Sequence, residues 1–508
     1  MYICCFKNIK TKYSTMKINL YNSLSKKIEN FIPINSDEVR IYSCGPTVYS
    51  YAHIGNMRAF LFADLLQRIL RTVGNFNVKW VINITNIDDK TIRDSKIGSN
   101  EWNENIGKQT GEPIQDLLLL TKFYENEFIV DIEKLGIERS HFFAMPKATD
   151  YISEMQELIK IIMQKGLAYA AGGSIYFNVA EYRKTDVYGK LFKIDFDNFK
   201  AGLRVDTDQY EREQVSDFVL WKEKKEDEPF WDFEIDGKNY TGRPGWHIEC
   251  SAMEKKLLGL PFDIHTGGID LKFPHHEDEI TQSKAGYGIE PTNFWCHNEF
   301  LEVEGTKMSK SLGNFFTLRQ LEEKGIEPID VRYAMFSVHY RTKYNFTFAG
   351  ISAARKARLR IQDYIYSIFD LLGTNEELKK SEIKSAKIKE LKNAIELELA
   401  NDLHTPKALA HLFSFVNSNN SSALDESEKQ DFLSLIYDLN NIFRTWNFEK
   451  KEAETKIEIP KNIIDIAEQR LQAKQAKNFT EADRLRNEII SLGYQIVDTK
   501  EGYEITKI

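Results

Sequence analysis

The sequence predicts an α/β protein. Its expected parts are a Rossmann-like parallel-sheet catalytic domain with an inserted domain, then an α-helical bundle and a small α+β C-terminal domain. Three observations carry this reading. Residues 39–44 alternate apolar and polar, 56–73 are amphipathic at helical period and 78–84 form a buried apolar run, giving strand–loop–helix–strand. Residues 244–284 return to helix–strand–helix spacing. From residue 351 long helical patterns dominate until a charged stretch and Pro460, after which two helices and a hairpin follow.

The elements follow in order. Residues 1–15 contain lysine but no acid and read as an N-terminal extension, expected to be disordered. In 56–73 the apolar face is Phe60, Leu61, Leu65, Leu66, Ile69 and Leu70, and Gly74 fits the position just past the helix end. Residues 149–165 read as a helix and 173–177 as a short strand, followed by mixed polar text to about 225. Residues 244–258 are a helix with proline at its start and Gly259 beyond its end. Then come a strand at 262–265, a turn at Gly267-Gly268 and a helix at 274–284. Helical patterns at 351–372, 383–415 and 429–446 make the bundle, and 450–459 is a charged linker. In the last unit 463–477 is helical, Thr480 caps a second helix that runs to Leu492, and Gly493 ends it. Residues 494–497 and 503–506 pair around Gly502.

A chain of 508 residues exceeds one core, so several units are expected. A net charge of −8 and a pI near 5.8 exclude a generally basic nucleic-acid binder, but not local basic patches. No apolar run approaches a membrane span, so no membrane partner is expected. Five cysteines without a regular spacing fit a reducing, cytoplasmic setting.

Two stretches carry the chemistry. The first runs Cys44-Gly45-Pro46-Thr47-Val48-Tyr49-Ser50-Tyr51-Ala52-His53-Ile54-Gly55-Asn56, and the second is Lys307-Met308-Ser309-Lys310-Ser311. Beside a helix start, His53 and Asn56 can donate to phosphate oxygens and Gly55 allows close approach. Lys307 and Lys310 add positive charge, so ATP is the expected ligand. Asp263 to Asp270 forms a third part: Gly268 lets a purine or ribose lie against backbone, and Asp270 can accept from a ribose hydroxyl. Near these lie Cys44, Cys250, His275 and Glu279. Trp246 and Cys250 are four apart on one predicted helix, and His275 and Glu279 on the next, so each pair shares a face. Two thiolates, an imidazole and a carboxylate suit zinc better than magnesium or calcium, with buried free cysteines as the alternative.

The two stretches resemble the signature motifs of class I aminoacyl-tRNA synthetases. Segments 42–49, 242–253 and 273–280 closely resemble the cysteinyl-tRNA synthetase family, and the likeness runs from about Ile18 onward. It implies one zinc per chain on Cys44, Cys250, His275 and Glu279, taking the thiolate of L-cysteine, with His276 behind the ligands. Trp246 and Thr85 are implied to contact the amino acid. Catalytic roles fall to His53, Asn56, Lys307 and Lys310. ATP, with magnesium, is implied at His53, Gly55, Asn56, Gly268, Asp270 and Lys310. The implied product is cysteinyl-tRNA(Cys), made by a cytoplasmic monomer.

The implied domains are catalytic halves at 16–150 and 236–300 around an insertion at 151–235. A signature-loop and acceptor-stem segment follows at 301–349, the bundle at 350–449 and an anticodon-recognition unit at 460–508. Cations expected to face RNA are Arg319, Arg332, Arg341 and Lys343, then Arg355, Lys356, Arg358 and Arg360, and finally Arg470, Lys474, Lys477, Arg484 and Arg486. The chain departs from the family pattern at Asn56, at Asn86, in a longer stretch at 229–241, and at Ile505 where relatives often have tryptophan. Tyr503 is the nearby aromatic substitute.

Overall fold

Five parallel strands form the central sheet of the computed structural model, which describes residues 16–193, 204–205, 217–308, 313–373, 381–448, 460–476, 478–499 and 502–507. The chain divides into two units, Met1–Trp446 and Asn447–Ile508.

In the first unit, β1 (Glu38–Ser43) leads through a loop into α1 (Ile54–Thr72) and β2 (Asn77–Ile82). Helix α2 (Pro113–Lys134) then leads to β3 (Phe142–Ala144), and α3 (Ile152–Gln164) follows. After an inserted sheet come α4 (Trp246–Leu257), β8 (Phe262–Gly268), α5 (His275–Tyr287) and β9 (Thr292–Asn298). The strand order is β9-β8-β1-β2-β3, all parallel. Order therefore reverses between β1 and β8, and the crevice beyond their carboxyl ends is where such sheets bind ligands.

The inserted sheet is antiparallel along the order β7-β6-β5-β4, from strands β4 (Ala168–Ala171), β5 (Ser174–Phe177), β6 (Asp217–Glu223) and β7 (Gly242–Pro244), and the short strand Arg204–Val205 pairs parallel with β6. It extends past residue 235, because Gly242–Pro244 pairs with Asp217–Glu223 just before α4 begins. Phe177, Phe218 and Trp221 of this sheet share one hydrophobic core with Tyr42 and Val81 of the central sheet. That continuity fixes the start of α4 against the end of β1.

Short helices α6 (Leu318–Glu323) and α7 (Pro328–Phe336) precede the helical region: α8 (Phe348–Leu372), α9 (Ala386–Ala400), α10 (Thr405–Ser418) and α11 (Glu426–Phe443). The pattern at 383–415 predicts continuous helix, but it breaks at 401–404. Asp402 and Leu403 sit at φ +58° and +54°, and Pro406 lies in the first turn of the next helix. Gly267 and Gly268 are not a turn either. They continue β8, and a Cβ on Gly267 would lie 2.7 Å from the His276 ring. No helix among the described residues is long and apolar enough to cross a membrane.

The second unit pairs α12 (Lys461–Gln475) and α13 (Phe479–Ser491) with a hairpin of β10 (Tyr494–Thr499) and β11 (Gly502–Lys507). Ile463, Ala467, Ile489, Tyr494 and Ile496 form its own core. Asn478, not Thr480, caps α13: its side chain accepts from the Glu481 amide. Tyr503 packs beside this core, and Ile505 pairs with Ile496.

Candidate active site and metal centre

The chain leaving β1 places Cys44 at the crevice, and α4 and α5 bring the other donors to it. The Cys44 and Cys250 sulfurs are 4.0 Å apart. Cys250 Sγ lies 3.5 Å from His275 Nε2, and Cys44 Sγ 3.7 Å from Glu279 Oε1. Zinc bonds of about 2.3 Å to sulfur and about 2.1 Å to nitrogen or oxygen give tetrahedron edges of about 3.8 Å between the sulfurs and about 3.6 Å from sulfur to nitrogen or oxygen. These three separations therefore lie near three of the six edges. Another, His275 Nε2 to Glu279 Oε1 at 2.8 Å, is shorter because the imidazole donates to the carboxylate. All four residues are buried.

A second set, Cys44, His265, His276 and Glu279, overlaps the first. It is the poorer metal site. His265 Nε2 lies 2.9 Å from Glu254 and 2.8 Å from Glu279. Burial alone would lower its pKa, but Glu279 and Glu254 outweigh burial and raise it to about 10. Its Nε2 is thus held between two carboxylates, and this set offers one thiol where the first offers two. In the first set burial pushes Cys250 up, but the Cys44 and His275 hydrogen bonds and the His275 charge bring it down to about 7, favouring thiolate. Burial would also push Glu279 up; His265 and His275 hold it well below the usual carboxylate range.

Around this cluster lies a layer of polar side chains, of which the sequence analysis named only His276. His247 Nδ1 is 2.8 Å from His275 Nδ1 and so orients the His275 ring. His276 lies 3.3 Å from the Cys44 sulfur and 2.8 Å from His297, which in turn contacts Ser23 at 2.8 Å. Glu254 had a legible signal, since Trp246, Cys250 and Glu254 recur every four residues on one helix.

A cavity of about 400 Å³ runs from Cys44 and Trp246 to His53, Gly55 and Asn56, with Gly268, Asp270 and Lys307 also on its wall. Trp246 stacks on the His275 ring at 4.1 Å between centroids. His53 caps α1: its Nδ1 accepts from the Asn56 amide at 3.1 Å, and Asn56 Oδ1 accepts from the His53 amide at 3.2 Å. Since Nδ1 accepts, the proton of neutral His53 resides on Nε2. Burial lowers the His53 pKa to about 4; its backbone hydrogen bond opposes this and Lys90 reinforces it. Lys90, missed in the sequence, is a further cation on this wall. A Cβ on Gly55 would fall 2.5 Å from the Met308 methyl, so glycine lets the second signature approach the first.

Thr85 is buried away from the cavity wall, where its hydroxyl donates to Glu249 at 3.1 Å. Lys310, with Ser309 and Ser311, lies outside the described residues, as does Lys477. Several cations expected to face RNA are committed elsewhere. Arg332 is fully buried against Asp64 at 2.6 Å. Arg341 donates to Asp402 at 2.7 Å, and Arg358 to Asp330 at 2.7 Å. Arg470 is buried, and Arg484 pairs with Glu481 and Glu488. Lys343, Lys356, Arg360 and Arg486 remain on the surface.

With a histidine-capped helix and Lys307 lining a crevice at the carboxyl ends of a parallel sheet, the fold is that of the class I aminoacyl-tRNA synthetases. The family model for tRNA synthetases class I (C) catalytic domain matches residues 30–356. Cysteine–tRNA ligase of Brachyspira hyodysenteriae is 42% identical over 494 residues, covering 96% of this chain and 98% of that protein. The Leptospira interrogans serovar Lai enzyme is 40% identical over 501 residues, with 96% and 98% covered. The chain belongs to the cysteine–tRNA ligase family, and it is an enzyme of that activity. The fold extends to more distant structures. Mycobacterium tuberculosis methionyl-tRNA synthetase bound by methionyl-adenylate aligns with a TM-score of 0.55 at 12% identity, covering 80% of this chain and 92% of that one. The Agrobacterium radiobacter K84 LeuRS–tRNA–LeuAMS complex gives 0.57 at 12%, covering 82% and 85%.

Proposed function

We propose that the chain activates L-cysteine with magnesium ATP and passes it to the 2′-hydroxyl of the terminal adenosine of tRNA(Cys). Zinc on Cys44, Cys250, His275 and Glu279 is the amino-acid selector. The observation that carries this reading is the convergence of those four donors, all within 4.8 Å of one another, beside the cavity that Cys44 shares with His53 and Asp270.

Bound zinc supplies affinity for a thiolate, a ligand that serine cannot copy because its hydroxyl is far harder to deprotonate. Trp246 walls the amino-acid end. The substrate carboxylate is already a nucleophile, so attack on the α-phosphorus needs no general base. His53 donates through Nε2–H, and Asn56 through its NH₂, to phosphate oxygens as pyrophosphate departs. Lys307, Lys310 and Lys90 offset the charge that builds there. Asp270 takes the ribose hydroxyls, and Gly268 gives room for the nucleoside. Thr85 acts indirectly by fixing Glu249. The protein acts as a cytoplasmic monomer, with residues 460–508 reading the anticodon.

Cysteine-dependent ATP–pyrophosphate exchange followed by charging of tRNA(Cys) tests the reaction. Metal analysis should give about one zinc per chain; full selectivity against serine in a metal-free preparation overturns the selector. Lys310→Ala should slow exchange far more than it weakens cysteine binding, since its contact belongs to the transition state.

A further inference from the structure

Arg319 is the second residue of α6, the helix that follows the second signature. Its side chain meets two elements, and the start of its helix adds a backbone contact. The guanidinium carbon lies 4.6 Å above the centre of the Tyr51 ring. One terminal nitrogen is 2.5 Å from Glu127 Oε2 and 3.3 Å from Asp131 Oδ1, both on α2. The backbone contact is to the His53 loop. Thr317, which caps α6, forms an antiparallel bridge with His53, and the Ile54 amide donates to Phe316 O at 2.9 Å.

Tyr51 lies on the cavity wall, two residues before His53, and its other ring edges meet Phe123 and Tyr124 of α2. Arg319 is not on that wall. Its planar group fills the gap behind Tyr51, with one face on the ring and its edge on two carboxylates. The His53 loop is therefore held by backbone on one side and by this sandwich on the other. Phe315, just upstream of α6, meets the His53 ring edge-on at 4.8 Å.

We propose that Arg319 is a positioning residue for the adenylation step, acting through Tyr51 to set His53 against the strand that carries Lys307. This rests on the reading of the cavity as the adenylation site. Lysine cannot replace it fully, because an ammonium is a point charge without a plane to stack or a fork to span both acids. A second ion pair, Lys134 with Glu322 at 2.7 Å, also ties α2 to α6 but touches neither Tyr51 nor the His53 loop. It serves as an internal control.

The test is cysteine-dependent ATP–pyrophosphate exchange on the full chain, with thermal unfolding followed for each variant. Arg319→Ala should lower kcat by on the order of 10- to 100-fold, the range set by a misplacement near 1 Å, with KM for cysteine within about twofold. Arg319→Lys should recover only part of the loss. Tyr51→Leu should reproduce it, and the double variant should be no worse than either single one, because the two act as a unit. Lys134→Ala should exchange within about twofold of the parent. Exchange near parental in Arg319→Ala overturns the proposal. So does equal loss in Lys134→Ala, or fully additive losses in the double variant. A parent without cysteine-dependent exchange would instead refute the reading of the cavity.

Discussion

His53 caps α1 on the cavity wall, and the phosphate-donor role proposed for it asks for a proton on its other nitrogen. Its capping bond commits Nδ1 as acceptor, and burial holds the ring neutral to about pH 4, so Nε2–H is available throughout the working range. The folded pKa is depressed below the unfolded value near 6.5. Stability linked to this ring is therefore present above pH 6.5 and is lost as pH falls toward 4. Exchange should show no His53 inflection between pH 6 and 8, and a ¹⁵N-histidine titration should find the Nε2–H tautomer; a His53 transition near 6.5 contradicts both. A second prediction concerns His247, whose contact fixes the far side of the His275 ring. His247→Ala should weaken zinc binding about 10- to 100-fold, read by competition with a chromophoric chelator. At this scale the sequence paired Cys250 with Trp246 and His275 with Glu279 by i,i+4 spacing, but only the family resemblance joined Cys44, Cys250, His275 and Glu279, the cluster that the fold brings together. His247, His265 and His297 behind them were not legible, because they reach His275, Glu279 and His276 only when separate helices and strands pack.

Helix α1 carries its meaning on two faces. Its apolar face was legible from periodicity, but Asp64 and Arg68, buried in the middle of it, were not recognised as a structural pair. Asp64 accepts from Arg68 at 2.9 Å and from Arg332 of α7 at 2.6 Å. Those guanidiniums also donate to carbonyls of Gly136, Leu135, Asn441 and Phe443, so one carboxylate organises the ends of α2 and α11. Arg332 looked like a cation for RNA because a sequence shows charge but not its partner 268 residues away. Burial would raise the Asp64 pKa, but Arg332 and Arg68 outweigh it and lower it. Stability from this carboxylate is present above its unfolded value and lost as pH falls through the folded one. Asp64→Asn strands two buried guanidiniums, so it should cost about 3–5 kcal/mol in denaturant unfolding, and a change under about 1 kcal/mol refutes the hub. Elsewhere the sequence misled where tertiary packing overrode local signal. The paired glycines at 267–268 stay extended because His276 occupies the space beside them, and the helix pattern at 383–415 breaks where Asp402 anchors Tyr21, Tyr340 and Arg341.

Across the whole molecule, the order of helical region and final unit was legible from composition and Pro460. The reach of the inserted sheet was not, because its last strand, Gly242–Pro244, is only three residues long and finds its partner through Asp217–Glu223. The first unit contains every described residue of the cavity and of the metal cluster, while Asn447–Ile508 has a separate core. Activation of cysteine should therefore be separable from tRNA charging. A chain ending at residue 446 retains the sheet, the donors and both signatures, so it should keep cysteine-dependent exchange within about twofold. If 460–508 reads the anticodon, that chain loses both base contacts and the phosphate contacts of Lys474 and Arg486. Phosphate contacts contribute salt-dependent affinity, so loss of charging should appear as a lower kcat/KM for tRNA(Cys) and a shallower dependence on salt concentration. Unchanged kcat/KM for tRNA would remove the final unit from recognition. Loss of exchange along with charging would instead show that the first unit depends on the second for its own fold, which the independent core of five buried residues in the second unit argues against.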